Sequence, residues 1–298
     1  MITGKDYPYG TIINILKEWE QKYPFITLKK IGISVLGRPI YAIEIGKGNQ
    51  SVCFCGGFHG SERLTVTSLL MFTENLCKAV DEKGDFFGVP AYKMLFSRTC
   101  LIVPCVNPDG YEIARVGPSS AGILKDRVIK ISNGEDFKFW NANARGIDIN
   151  HNFDAGFSAL KKQERMRGIF SPAPRYFGGD FCESEPETVA IADYIRQNQI
   201  INLLCFHSQG EEIFNDFCGK IPPRSAFLTN QFCAATGYSI AKAEGTASYG
   251  GCKDWFIKTY NRPAFTFEIG KGENPLPSDS LYDIYSKIEP VFLIACSL

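Results

Sequence analysis

The chain has 298 residues, 45% of them hydrophobic, enough to bury a large core in one domain spanning residues 1–298. Lys+Arg and Asp+Glu both count 32, so the formal charge is zero, and no basic run offers a track for phosphates; nucleic acid and anionic membrane surfaces are excluded as expected partners. No apolar run reaches bilayer-spanning length and the first six residues lack the layout of a secretory signal, so no membrane insertion is expected.

In chain order, residues 10–23 carry the apolar spacing of an amphipathic helix. Two alternating runs at 27–33 and 39–45 flank Leu36-Gly37-Arg38 and read as a hairpin. Apolar, strand-like runs follow at 51–56, 100–106, 201–206 and 264–267, separated or followed by helix-like segments at 62–80, 185–197 and 280–294. Continuous apolar strands interleaved with helices predict an α/β fold: a mixed, largely parallel sheet flanked by helices on both faces, with ligands gathered at strand ends. Residues 110–180 show little periodicity and many Gly, Pro and charged residues, the composition of long loops that rim an active site.

Eleven cysteines form an odd set with no C-x-x-C pair, and Cys53, Cys55, Cys100, Cys105 and Cys205 sit in apolar segments. Reduced core thiols, and a reducing cytoplasm, are the expectation.

The sequence holds three histidines: His59, His151 and His207. His59-Gly60-Ser61-Glu62 follows one strand and opens a helix, so a turn can aim an imidazole and a carboxylate at one point. His207 ends another apolar strand. Two imidazoles and one carboxylate suit zinc and leave open the position that catalytic zinc sites need. A lone His-x-x-Glu carries little weight, but the segments that follow are specific in order: Asn107-Pro108-Asp109-Gly110, the run from Asn143 to Phe153, His207-Ser208-Gln209-Gly210, and Phe265-Thr266-Phe267-Glu268.

This ordered set resembles the zinc carboxypeptidase family. Residues 143–157, 207–212 and 250–256 look more narrowly like the bacterial γ-D-glutamyl-diamino acid peptidases, which cut cell-wall peptides between γ-D-glutamate and the following diamino acid. The resemblance implies an eight-stranded mixed sheet between helices and one zinc ion per chain held by His59, Glu62 and His207. It implies Glu268 as the base that takes the proton of the attacking water, and Arg145, which follows Trp140, as the oxyanion donor; the alternative for Arg145 is a brace on Asp148. It also implies a substrate-binding pair at Asn150-His151, where ordinary carboxypeptidases have Asn-Arg. A histidine cannot reproduce the arginine's paired hydrogen bonds to a free C-terminal carboxylate. Lys253 falls in the pocket for the leaving residue and suits an acidic group such as the distal carboxylate of meso-diaminopimelate. Thr246 stands at the place of the family's mobile tyrosine, with Tyr249 nearby.

The resulting expectation is a zinc metallopeptidase acting on peptidoglycan-derived peptides. The competing readings are a zinc carboxypeptidase or amidase on another small peptide, and a non-catalytic zinc- or peptide-binding module; Glu268 beside three ligands speaks against the last, which needs no base.

Overall fold

The computed structural model describes residues 1–86 and 88–298. Its strands are β1 (Ile26–Ile33), β2 (Pro39–Gly46), β3 (Gln50–Cys55), β4 (Asp85–Phe86), β5 (Val89–Pro90), β6 (Arg98–Val103), β7 (Ile200–His207), β8 (Glu212–Phe214), β9 (Ser239–Ile240) and β10 (Ala264–Glu268). Among the described residues eight of these form one sheet in the order β1-β2-β6-β3-β7-β10-β8-β9, while β4 pairs only with β5. The four central strands β6, β3, β7 and β10 run parallel; antiparallel pairs join β1 to β2, β2 to β6 and β10 to β8. The sheet is therefore mixed with a parallel centre, as the apolar runs predict.

Ten helices accompany it among the described residues: α1 (Tyr9–Lys22), α2 (Arg63–Asp81), α3 (Ala91–Ser97), α4 (Pro108–Val116), α5 (Lys125–Ser132), α6 (Phe157–Met166), α7 (Pro186–Arg196), α8 (Ser225–Thr236), α9 (Cys252–Tyr260) and α10 (Leu281–Ser297). Alternation along the strands splits the core in two. Val52, Phe54, Leu204, Phe206, Phe265 and Phe267 face a layer containing Ile12, Leu69, Phe232 and Phe292 from α1, α2, α8 and α10. Cys53, Cys55, Leu203, Cys205 and Ala264 face the other, with Ile191, Ile195, Phe256 and Ile257 from α7 and α9.

The hairpin turns where expected: Gly37 takes φ +79°, a conformation glycine adopts without strain, and the Ser34 amide donates to the Arg38 carbonyl at 2.8 Å. The segment 110–180 is less loop-like than its composition suggests, since it holds the end of α4 and all of α5 and α6. Those short helices pack along narrow stripes, Val128 in α5 and Leu160 in α6, too few apolar positions to stand out in sequence. All eleven cysteines are free thiols and eight are buried, in keeping with the core role expected of them. No helix among the described residues is long and apolar enough to cross a membrane.

Candidate active site

Strand pairing aligns the first two functional groups. β7 and β10 are parallel neighbours with His207 opposite Glu268, so both side chains leave the sheet on the same side, at the ends of adjacent strands. His207 lies on the side of Leu203 and Cys205, and Glu268 on that of Ala264, which is the face of the second core layer.

The turn from β3 into α2 supplies the other two. Thr65 Oγ1 donates to the Glu62 carbonyl at 2.7 Å and accepts from the Gly57 amide at 3.0 Å, closing the turn around residues 58–61. Gly60 permits a close approach that any side chain would block, because a Cβ there would lie 2.1 Å from the Gly110 carbonyl oxygen. Asn107 completes the clamp by donating to the carbonyls of Phe58 and Asn141 at 3.0 and 3.1 Å and accepting from the Gly110 amide at 2.9 Å. The Asn-Pro-Asp-Gly segment thus acts as a brace: Asp109 accepts from Ser34 Oγ, the Leu36 amide and Arg38, tying the hairpin to the start of α4.

His59, Glu62 and His207 converge, each offering one ligand atom within 4.8 Å of the others. Glu62 lies between the rings, with Oε1 2.8 Å from His59 Nδ1 and Oε2 3.0 Å from His207 Nδ1. His59 Nε2 is 3.1 Å from Asp148 Oδ1, so the ring lies between two carboxylates and, with no ion bound, satisfies both as imidazolium. As a neutral ring with its proton on Nε2, His59 would turn the Nδ1 lone pair toward Glu62, and a cation between them would satisfy both. Burial alone would depress the His59 pKa, but the charges of Glu62 and Asp148 outweigh it and hold it well above its ordinary value. Glu62, despite its burial, is held down at about 2 by the two histidines. The same field that favours imidazolium favours a divalent ion, and the N, N, O donor set fits zinc. Asp148, inside the 143–153 motif, supplies the carboxylate that orients a ligating histidine, a role its local sequence does not mark.

Glu268 lines the cavity beside this cluster and has no hydrogen-bond partner for its carboxylate among the described residues. Burial, then the Glu62 charge, push its pKa well above the carboxylate range, with His59 pulling against them. Asn150, His151 and Lys253 line the same cavity. Asn150 Oδ1 accepts from the Cys252 amide at 3.1 Å, leaving its amide nitrogen uncommitted. His151 Nδ1 lies 3.1 Å from Asp148 Oδ2 and its ring adjoins Tyr176, with centroids 6.2 Å apart.

Two expectations need correction in their surroundings. Lys253 is not a free cation: its ammonium pairs with the Asp254 carboxylate and donates to the Asp216 carbonyl at 2.5 Å. Arg145 is not brought to the cluster. Its guanidinium lies 3.5 Å from Glu185 Oε2, its side chain is 44% exposed, and it lines neither cavity that contains His59. The motif Asn-Ala-Arg-Gly forms a turn in which Asn143 Oδ1 accepts from the Arg145 and Ile147 amides, directing the arginine toward α7 and away from the metal ligands. Thr246 lines the metal cavity, whereas Tyr249 packs against Gly156 and lines a separate one. Tyr176 and Arg175, which sequence reasoning missed, line a second cavity that also contains His59 and Glu62; nothing in the Pro-rich run around them marks them as site residues.

A His–Glu–His donor set at the ends of parallel strands, with an unpaired carboxylate beside it, defines a mononuclear metallohydrolase. The chain belongs to the zinc carboxypeptidase family, whose sequence pattern matches residues 12–291. It is 33% identical to gamma-D-glutamyl-L-diamino acid endopeptidase 1 of Lysinibacillus sphaericus, a match covering 98% of this chain and 73% of that protein. It is 32% identical to the uncharacterized protein YqgT of Bacillus subtilis (strain 168), over 95% of this chain and 75% of the other. Its fold matches that of bovine thrombin-activatable fibrinolysis inhibitor solved in complex with tick carboxypeptidase inhibitor, with a TM-score of 0.76 at 20% identity over 99% of this chain and 97% of that one.

Proposed function

We propose that this zinc metallopeptidase hydrolyses the bond between γ-D-glutamate and a diamino acid in peptidoglycan stem peptides. The observation that carries the chemistry is the unpaired, half-buried Glu268 level with His207 and beside the three ligands. The similarity to the Lysinibacillus sphaericus endopeptidase supports the choice of bond. Zinc, when bound by His59, Glu62 and His207, supplies a Lewis acid that polarises the scissile carbonyl and acidifies water. Glu268 takes the proton of the attacking water and returns it to the leaving amine, a double duty suited to a carboxyl whose pKa is raised by burial and by the Glu62 charge. Asp148 keeps His59 in the ligating tautomer. The free amide of Asn150 and the Lys253–Asp254 pair receive the leaving residue, and His151 replaces an arginine that would demand a C-terminal carboxylate. Arg145, spent on Glu185, braces the loop. The free cysteines support a reducing cytoplasm as the place where these peptides are met.

Mass-spectrometric product analysis with defined stem peptides tests the reading. Scission after γ-D-glutamate is the expected result, and Glu268→Gln should retain zinc while losing about 10²–10⁴-fold in turnover. Release of ordinary C-terminal residues, with stems left intact, would replace this reading by that of a carboxypeptidase.

A further inference from the structure

The ligand cluster opens onto two cavities that share His59 and Tyr176. One contains Glu268 and Lys253, and a leaving residue occupies it under the proposed function. The other, walled by Phe139, Asn141, Arg175, Ser208 and Glu273, remains for the acyl side of the peptide. Its two carboxylates are the ligand Glu62 and Glu273, and Arg175 is the one Lys or Arg among the described residues that line it.

Arg175 is mounted rigidly. On one side the Pro174 carbonyl accepts from the Asn141 and Ala142 amides, both at 2.9 Å; on the other the Tyr176 amide donates to Asp148 Oδ2 at 2.9 Å. The segment is therefore tied to the same carboxylate that orients His59. The guanidinium itself rests on Glu135, but the side chains of that pair are 35% and 47% exposed, and an ion pair so open to solvent holds its partners weakly. A better-placed carboxylate in the cavity can displace Glu135.

The substrate chemistry supplies one. A glutamyl residue linked through its γ-carboxyl keeps its α-carboxylate free on the acyl side of the scissile carbonyl, where an α-linked residue with a neutral side chain carries no carboxylate. We propose that Arg175 holds this free α-carboxylate, so that the acyl-side cavity selects an acyl residue that bears a free carboxylate. A guanidinium suits the task because its planar fork donates two parallel hydrogen bonds to a carboxylate. This inference rests on the proposed function and adds the residue that selects a glutamyl acyl group over a neutral one. Lys253 and Asp254, in the other cavity, act on the leaving residue and are independent of it.

The test uses the zinc-loaded enzyme with two forms of one stem peptide, the first with a free α-carboxylate on γ-D-glutamate and the second with that carboxylate converted to the amide. The parent should prefer the acid. Arg175→Met should lower kcat/KM for the acid by about ten- to hundredfold, chiefly through KM, and leave the amide within about threefold. Arg175→Lys should fall between the two. Calorimetric binding of both peptides to Glu268→Gln, with and without Arg175→Met, should show the same dependence on the carboxylate without turnover. An equal loss on both peptides would mean that Arg175 serves the reaction or the loop and would overturn the proposal, as would a parent enzyme indifferent to amidation. A parent that cuts neither form removes the proposed function itself and this inference with it, an outcome distinct from cleavage without discrimination.

Discussion

At the scale of the residue, charge at this site is decided by close partners more than by residue type. Lys253 is chemically a cation, yet with side-chain exposures of 7% and 4% it and Asp254 form a buried pair whose net charge is zero. Burial pushes the Asp254 carboxyl upward and the Lys253 charge pulls it back, so removing the lysine leaves a buried acid with only the Gly251 amide to offset its desolvation. Lys253→Met should therefore lower the free energy of unfolding by about 3 kcal/mol, in addition to any effect on specificity. The double variant Lys253→Met/Asp254→Asn should recover much of that loss, because no ionised group is then stranded. Denaturant titration of the three proteins checks this, and a single variant as stable as the parent would refute the buried pair.

At the scale of the element, α7 is docked to the hairpin through acids that the sequence reading passed over. Glu187, in the first turn of α7, accepts from the Val35 amide at 2.9 Å and from Asn143 Nδ2 at 3.1 Å. Burial, with a further contribution from the Asp109 charge, raises its pKa from 4.5 to about 7 against the pull of those hydrogen bonds. Below pH 4.5 the carboxyl is protonated in both folded and unfolded chains, and the benefit of burying it neutral is fully present. As pH rises toward 7 the unfolded chain ionises first, so this contribution, about 3 kcal/mol, is progressively lost. Glu187→Gln cannot ionise. Its stability should decline less than the parent's between about pH 4.5 and 7 in thermal unfolding at matched ionic strength; parallel pH profiles would show that Glu187 ionises freely in the fold.

At the scale of the whole molecule, the metal ligands draw two distant parts of the chain together. His59 and Glu62 come from the β3–α2 turn and His207 from the end of β7, and the sheet that carries them is held by a core in which Phe292 of α10 packs on Phe54, Phe72 and Phe206. That core does not depend on the ion, so chelation should leave far-ultraviolet dichroism at 25 °C unchanged. Zinc bound only by the folded state nevertheless adds about 2.7 kcal/mol at a hundredfold excess over its Kd, and its removal should lower the unfolding midpoint by about 5 °C or more. A midpoint insensitive to chelator would argue that His59, Glu62 and His207 hold no ion.

Features that depend on local pattern are legible in the amino-acid order alone. Apolar runs located the central strands within about three residues, and the order of short motifs around His59, Glu62, His207 and Glu268 identified the family and a ligand set that the fold brings together, because each motif sits at the end of a strand whose course the sequence dictates. Only the tertiary structure decided what those residues meet. Asp148 stands 89 positions from His59, and Arg145 reaches Glu185 across 40, so their roles depend on how separate loops come together. The segment 110–180 hides its helices behind narrow apolar stripes, and the register of β7 against β10, which sets Glu268 beside His207, comes from side-chain packing across the sheet.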